Sequence, residues 1–408
     1  MSEPDLPGNR SDGAEESGAS ERRGVFRSLF SGGDLGLLPV ALALIFIWII
    51  FQSTNQVFLS PRNLSNLVLQ IAVIGTLALG ETLILLIAEI DLAIAQFSGA
   101  AAALLAVVSV DLGWPFWASI PVVLLAGALY GFAQGTMVTR VGVPSFIVTL
   151  AGSLVSLGIL LALLAQQGTQ LIYDPFILGI ASSYVPGWAG WVLAALVIGT
   201  FLVTSMRTQA LRRSKGLTVP PVATVVVRVV ALTALVITIV LTLNAYRGVP
   251  VAGILLVGFV ALFAYITKST PYGRHLYAVG GNGEAARRAG INVTGLRLSI
   301  FVLASTFAAA GGIIGASRLG AASTTSGGAN LLLEVVGSAV IGGTSLFGGR
   351  GDVYGALIGA LVIGSVENGM DLLGAPSSTR FLVEGAILLA AVTLDTVLRR
   401  QRLRAGRA

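Results

Sequence analysis

Residues 64–88 read LSNLVLQIAVIGTLALGETLILLIA, an apolar run with one formally charged side chain, Glu81. A helix needs about 20 apolar residues to cross roughly 30 Å of hydrocarbon, and this run is long enough. Hydrocarbon holds no water, so backbone N–H and C=O groups must bond within their own segment, and a helix is the expected form. Stretches of the same kind recur in both directions along the chain. With soft ends they are 37–53, 64–88, 94–110, 115–139, 144–166, 190–206, 229–244, 249–267, 297–316, 334–349, 353–372 and 380–398. The predicted fold class is therefore an all-α polytopic membrane protein with about twelve transmembrane helices.

Composition points the same way. Of 408 residues, 55% are hydrophobic and only 11% charged, where a soluble domain carries about 25% charged residues. The 51 glycines lie within apolar runs, which suits close packing of membrane helices. There is no cysteine and a single histidine, His275. Disulfides, thiol catalysis and thiolate metal sites are excluded, and no metal or haem centre is expected.

Charge placement gives an orientation. With the N-terminus in the cytoplasm, the internal segments hold 21 of the 25 basic residues, and only Arg62, Arg247, Arg318 and Arg380 fall outside. That asymmetry obeys the positive-inside rule and puts both termini in the cytoplasm. Residues 1–36, rich in Ser, Gly and acidic side chains, read as a disordered cytoplasmic tail. No removable signal peptide is expected, the first apolar run being a retained helix. The membrane domain is predicted over 37–398, followed by a basic cytoplasmic tail at 399–408. Segment 334–349 is short and interrupted by glycine. If it only dips into the bilayer, a second irregularity must restore parity, which gives ten spans as the alternative.

Gly127, Gly131 and Gly135 stand four apart, as do Gly351, Gly355 and Gly359. That spacing keeps each set on one helical face, where another backbone can come close. Polar groups inside apolar segments need a cavity or a partner, because an ionised carboxylate at mid-membrane costs about 3 kcal/mol. Glu81, Glu89, Asp91 and Glu367 are translocation-pathway candidates on that ground, with Glu334 and Glu384 similarly placed. On one continuous helix Glu81, Glu89 and Asp91 would not share a face, so no joint carboxylate site is implied. Gln96, Gln134, Thr344, Ser345 and Asn368 are uncharged donors and acceptors suited to sugar hydroxyls. Helix-to-helix hydrogen bonding is the structural alternative for each.

Between two membrane segments lies the polar stretch 268–296, KSTPYGRHLYAVGGNGEAARRAGINVTGL. Its Gly281-x-Gly283-x-x-Ala286 is no dinucleotide fingerprint, since the required βαβ unit cannot form there. No GxxxxGK[ST] occurs, so ATP hydrolysis through a P-loop is not expected of this chain. Gly283 to Ala289 reads as a short exposed helix, with Glu284 early, Arg287 and Arg288 late and Gly290 as its stop.

The stretch YGRHLYAVGGNGEAARRAGINV resembles the cytoplasmic loop of ribose- and xylose-type permeases of ATP-binding cassette importers. AEIDLAIAQFSGA (88–100), VPSFIVTLAG (143–152) and AVIGGTSLFGGRGDVYGALIGALVIGSVENGMDLLG (339–374) resemble further blocks of that family, in the same order. The added stretch at 190–245, ending in LNAYRGVPV, is similar to the D-xylose permease type. The resemblance implies a multi-pass permease of the bacterial inner membrane, paired with a second copy and surrounded by lipid. It implies a separate ATPase subunit that binds ATP-Mg, and an extracytoplasmic sugar-binding protein. This chain itself would bind no cofactor and no nucleic acid, and would not be an enzyme. Coupling to the ATPase would run through Gly280, Gly281, Asn282, Glu284, Ala285, Ala286, Arg287, Gly290 and Ile291. A xylose-like pentose is the implied cargo. Ribose, a nucleoside or a signalling sugar are the alternatives, and an ion-driven secondary transporter is the rival class. Departures from the family occur at Ala93 and Ala95, where Ser and Gly are usual, at Gln134, and at Val336.

Overall fold

The computed structural model describes residues 38–164, 167–217, 219 and 221–404. The predicted tail at 1–36 lies outside the described residues, as do 405–408 of the basic tail. The described chain is mostly helical: α1 (Leu38–Thr54), α2 (Pro61–Leu86), α3 (Ile94–Ala106), α4 (Phe116–Thr136), α5 (Ser145–Leu164), α6 (Pro175–Ser182), α7 (Gly187–Ser214), α8 (Val222–Asn244), α9 (Val251–Ser269), α10 (Pro271–Gly281), α11 (Gly283–Arg288), α12 (Val293–Leu319), α13 (Ala329–Ile341), α14 (Val353–Leu372) and α15 (Ser377–Arg404). π-helical turns extend α3 over Val107–Asp111 and α4 over Met137–Val141. Two short antiparallel ribbons tie connections together, β1 (Thr169–Leu171) to β4 (Ala321–Ser323) and β2 (Tyr184–Val185) to β3 (Val249–Pro250).

Nine helices among the described residues are long and apolar enough to cross a membrane, and α1 and α13 are shorter apolar helices. This is a multi-pass membrane protein. Each of the twelve predicted segments overlaps a helix, with three differences. The run 334–349 is helical only to Ile341, and 342–352 form a turn in which Gly343, Gly348, Gly349 and Gly351 have positive φ. The glycine interruptions that mark this segment as the weak one in the sequence fall in that turn, where positive φ suits glycine. The basic stretch after 206 is not a loop at first: α7 continues through Arg207, Arg212 and Arg213, and α8 begins at Val222. Finally, α2 stops at Leu86 and α3 starts at Ile94, so Glu81, Glu89 and Asp91 do not share one helix.

Side-chain caps set the breaks around the polar stretch. Thr270 accepts from Gly273 N–H with Pro271 next to it, Asn282 accepts from Ala285 N–H at 2.9 Å, and Asn292 accepts from Gly295 N–H at 2.9 Å. Each cap satisfies a donor at a helix start and forces a change of direction. One predicted polar stretch thus becomes α10, α11 and the first turn of α12.

The core is built around α12, which packs on α4, α2 and α3, while α14 packs on α2 and α13. Of the apolar stretch of α2, 83% is buried, against 11% for α7 and α8. α7 and α8 pack on each other and show apolar faces outward, as helices bordered by lipid do. The ladder at 127–135 lies on α4 and meets α12, whereas of the second set only Gly355 and Gly359 lie on α14, Gly351 standing in the turn before it against Thr344. A Cβ at Gly131 would overlap Phe301 carbonyl on α12, and one at Gly359 would overlap Ser338 carbonyl on α13.

Candidate functional site

α12, 27 residues long, spans roughly 40 Å at 1.5 Å per residue. Its two ends carry different sites. Near its C-terminal end is a cleft of about 320 Å³, into which Gln70 of α2, Ser98 of α3, Arg318 of α12, Asn330 and Glu334 of α13, and Glu367 of α14 contribute. Gly311, Gly312 and Gly315 form the α12 wall, and the loop Thr325 to Gly328 closes one side. The lining mixes one guanidinium, two carboxyl groups, amides and hydroxyls. Such a set can donate to and accept from a polyhydroxylated solute without a large net charge.

At the N-terminal end of α12 the chain breaks meet. Residues 87–93 form a non-helical strap between α2 and α3, with Ala88 at φ 61°. Gly349 N–H donates to Leu86 carbonyl at 3.0 Å. A Cβ on Gly280 would overlap that same Leu86 carbonyl, and one on Gly348 would press on Ala88. The strap, the end of α10 and the 342–352 turn are therefore in backbone contact. Tyr277 donates to Gly351 carbonyl at 3.0 Å. Burial, and then the charge of Asp352, push its phenol above the ordinary value, so it stays protonated as a donor. Lys268 pairs with Asp352, the cap of α14.

α11 projects from this junction. Its Ala286 is buried, while Glu284 pairs with Arg287 at 3.7 Å and Arg288 at 3.3 Å on an exposed face. Gly290 stops the helix with φ 84°, and Ile291 leads into the Asn292 cap. The predicted short exposed helix and its stop are both present.

The predicted pathway residues are scattered and do not form one site. Glu367 lines the cleft. Glu81 is fully buried, and the backbone and carboxyl group of Asp91 lie close to its carboxyl group. The strap thus brings together two acids that a continuous helix would have kept apart. Asp91, itself buried, accepts from Ala93 N–H at 2.8 Å. Gln134 is buried beside Tyr130, whose ring stacks on Phe97 at 4.1 Å and whose hydroxyl accepts from Ser156 at 2.9 Å. Glu89 pairs with Arg297 at 3.2 Å, at the junction. The turn at 342–352 holds Thr344, buried against Gly351. Asn368 accepts from Asn63 at 2.7 Å between α14 and α2, and Gln96 is half-buried in the first turn of α3.

Sequence reading missed Gln70, Ser98, Arg318 and Asn330 as cleft residues. Arg318 ends a long apolar segment, so it reads as an interfacial charge. No local signal marks Gln70 or Asn330.

Comparison with known proteins places this architecture. The family model described as "Branched-chain amino acid transport system / permease component" matches residues 63–392. The xylose transport system permease protein of Escherichia coli strain K12 is 39% identical over 365 residues, 89% of this chain and 91% of the relative. The ribose import permease protein of Bacillus subtilis is 33% identical over 364 residues, 89% and 94%. An L-arabinose ABC transporter permease protein of Azospirillum brasilense is 30% identical over 391 residues, 94% and 93%. No solved structure matches. With the family model covering the membrane helices from α2 into α15, the chain belongs to the branched-chain amino acid transport system permease component family.

Proposed function

We propose that this chain is the permease subunit of an ATP-binding cassette importer that carries a monosaccharide, a xylose-like pentose first, across the bacterial inner membrane. What carries the reading is the resemblance over nearly the whole chain to a xylose permease, 39% identical. The family description names amino acids, but the relatives named above carry pentoses. The cleft supports a sugar too, because Gln70, Ser98 and Asn330 offer neutral hydrogen-bonding groups beside Arg318.

The chain makes and breaks no covalent bond. A separate ATPase subunit supplies the energy and binds ATP-Mg, and an external binding protein delivers the sugar. Two permease copies would enclose the path, with both chain termini in the cytoplasm and about twelve crossings. The exposed face of α11 is the docking element, with Asn282, Glu284, Ala285 and Arg287 presented and Gly280, Gly281, Ala286, Gly290 and Ile291 fixing its base. The path runs through the cleft at Glu367, with Glu81, Asp91, Gln96 and Gln134 as a deeper polar layer and Thr344, Glu89 and Asn368 at its edges. ATPase closure and the loaded binding protein each favour one of two permease conformations, and transport is the alternation between them.

Proteoliposomes carrying the permease, its ATPase subunit and its binding protein test this. Labelled xylose should accumulate only with ATP inside and all three components present. Uptake driven by an ion gradient without the ATPase would refute the importer. Leucine that competes where xylose does not would move the cargo to amino acids.

A further inference from the structure

The strap at 87–93 is gripped from several sides. Glu89 N–H donates to Ile84 carbonyl at 3.2 Å, which fixes its backbone to the end of α2. Ile90 carbonyl accepts from Thr149 hydroxyl at 3.3 Å, and its N–H donates to Ser145 at 3.4 Å, both at the start of α5. The remaining grip is ionic. Glu89 Oε1 lies 3.2 Å from Arg297 Nη1, with the Glu89 side chain 12% exposed and Arg297 33% exposed. Arg297 is the fifth residue of α12, five after the Asn292 cap that ends the α11 connection. The strap in turn leads directly into α3, whose Ser98 and Gly99 line the cleft.

We propose that the Glu89–Arg297 ion pair is a latch that makes the base of α11 and the strap move as one body, so that displacement of α11 reaches α3 and the cleft. The two residues are positioning residues: neither lines the cleft nor lies on the exposed face of α11. An exposed surface pair is worth about 0–1 kcal/mol and would serve no such role. This pair differs because the carboxylate is mostly buried and sits on a segment between two helices. The pair also joins two elements far apart in sequence, 89 and 297, next to the Gly280 and Gly349 contacts on Leu86. Without it, α11 could tilt while the strap stayed bound to α5.

The inference rests on the importer reading, so its test has one arm that needs transport and one that does not. In the complete complex, Glu89→Arg and Arg297→Glu should each cut xylose uptake at least tenfold and raise the ATP hydrolysed per xylose accumulated. The exchanged double variant should recover a third or more of native uptake. Single variants within twofold of native, or an exchange no better than the singles when all insert normally, would overturn the latch. The second arm uses the permease alone in nanodiscs. The chain has no cysteine, so spin labels at Ile90→Cys and Ala289→Cys report one distance. That distance distribution should be narrow in the native background and broaden in Glu89→Gln. Equal widths would overturn the latch whether or not xylose is the cargo, while a native complex that accumulates no sugar condemns only the importer reading.

Discussion

The two ends of α12 are built from different materials. At the N-terminal end, contact is between backbones: Gly280 lies on Leu86 carbonyl, Gly348 on Ala88 and Gly349 on the end of α10. At the C-terminal end, six polar side chains from five helices face a cleft, and glycines only make room for it. A surface that must transmit displacement cannot rely on side chains that change rotamer, because their motion absorbs the push. Backbones in contact behave as one packed solid. A solute path needs the reverse, groups able to exchange one hydrogen-bond partner for another. The difference teaches which substitutions should act on coupling and which on cargo.

The largest effect should come from filling the junction. Gly280→Val puts methyl groups where the Leu86 carbonyl stands. Overpacking costs about 3 kcal/mol, a shift of about a hundredfold in any conformational equilibrium that needs the contact. Xylose uptake by the complex should fall by about that factor while membrane insertion persists. Gly199→Ala, on α7 where nothing lies within 4 Å of a Cβ, is the control and should leave uptake within about twofold. Near-native uptake by Gly280→Val would show that the junction yields, and the contrast between the two ends would collapse.

Much of the junction was legible in the sequence, and little of the cleft was. The charge order of Glu284, Arg287 and Arg288 and the stop at Gly290 act over a few residues, so their pattern predicts α11 from local chemistry, while the caps Thr270, Asn282 and Asn292 emerge in the structure. The four-residue glycine spacing predicts close backbones in the same way. The cleft joins Gln70, Ser98, Arg318, Asn330, Glu334 and Glu367, which no periodicity relates. Glu367 was found because a carboxylate inside an apolar helix is costly wherever it points. Arg318 was not, since a basic residue one step from a helix end is cheap in interfacial water. The glycines of 334–349 mark a weak segment in the sequence, but apolar glycine-rich sequence does not say where the helix ends and the packed turn begins. Tertiary contact with Leu86 decides it.

Acting on the cleft should produce a middle-sized effect of another kind. Arg318→Leu removes the guanidinium that faces Glu334 and Glu367 across the cleft. A hydrogen bond to a charged group contributes about 1.5–3 kcal/mol, so xylose uptake efficiency should drop by about tenfold. The loss should lie in the concentration for half-maximal uptake more than in the maximal rate, and Arg318→Lys should recover part of it. A pure loss of maximal rate would move Arg318 from the path to the conformational machinery.

A smaller effect separates structural from pathway amides. Asn63 and Asn368 satisfy each other at 2.7 Å in a buried place. Replacing either with Ala should destabilise the protein by about 1–3 kcal/mol, and the double variant should cost less than the sum of the singles. Thermal unfolding in detergent measures this. Strict additivity would show that the two amides do not depend on each other and free Asn368 for a direct role in the path.

The smallest effect should come from Gln134→Leu, and it tests how far the path extends from the cleft. The buried Gln134 amide has the Tyr130 hydroxyl near it but makes no hydrogen bond of ordinary geometry, so a leucine of similar volume relieves a poorly satisfied polar group. Stability should hold or rise, by up to about 1 kcal/mol. Gln134 nonetheless lies beside Tyr130, whose ring covers Phe97, and α3 carries Phe97 next to the cleft residue Ser98. A sugar moving past Ser98 would meet that layer next. Competition between xylose and ribose should then shift by less than about threefold, since one neutral hydrogen bond is worth about 0.5–1.5 kcal/mol. An unchanged profile with raised stability would end the path at Ser98 and leave Gln134 as packing between α4 and α5. A shift larger than that produced by Arg318→Leu would instead place the selective step in the deeper layer, and the cleft would be only its entrance.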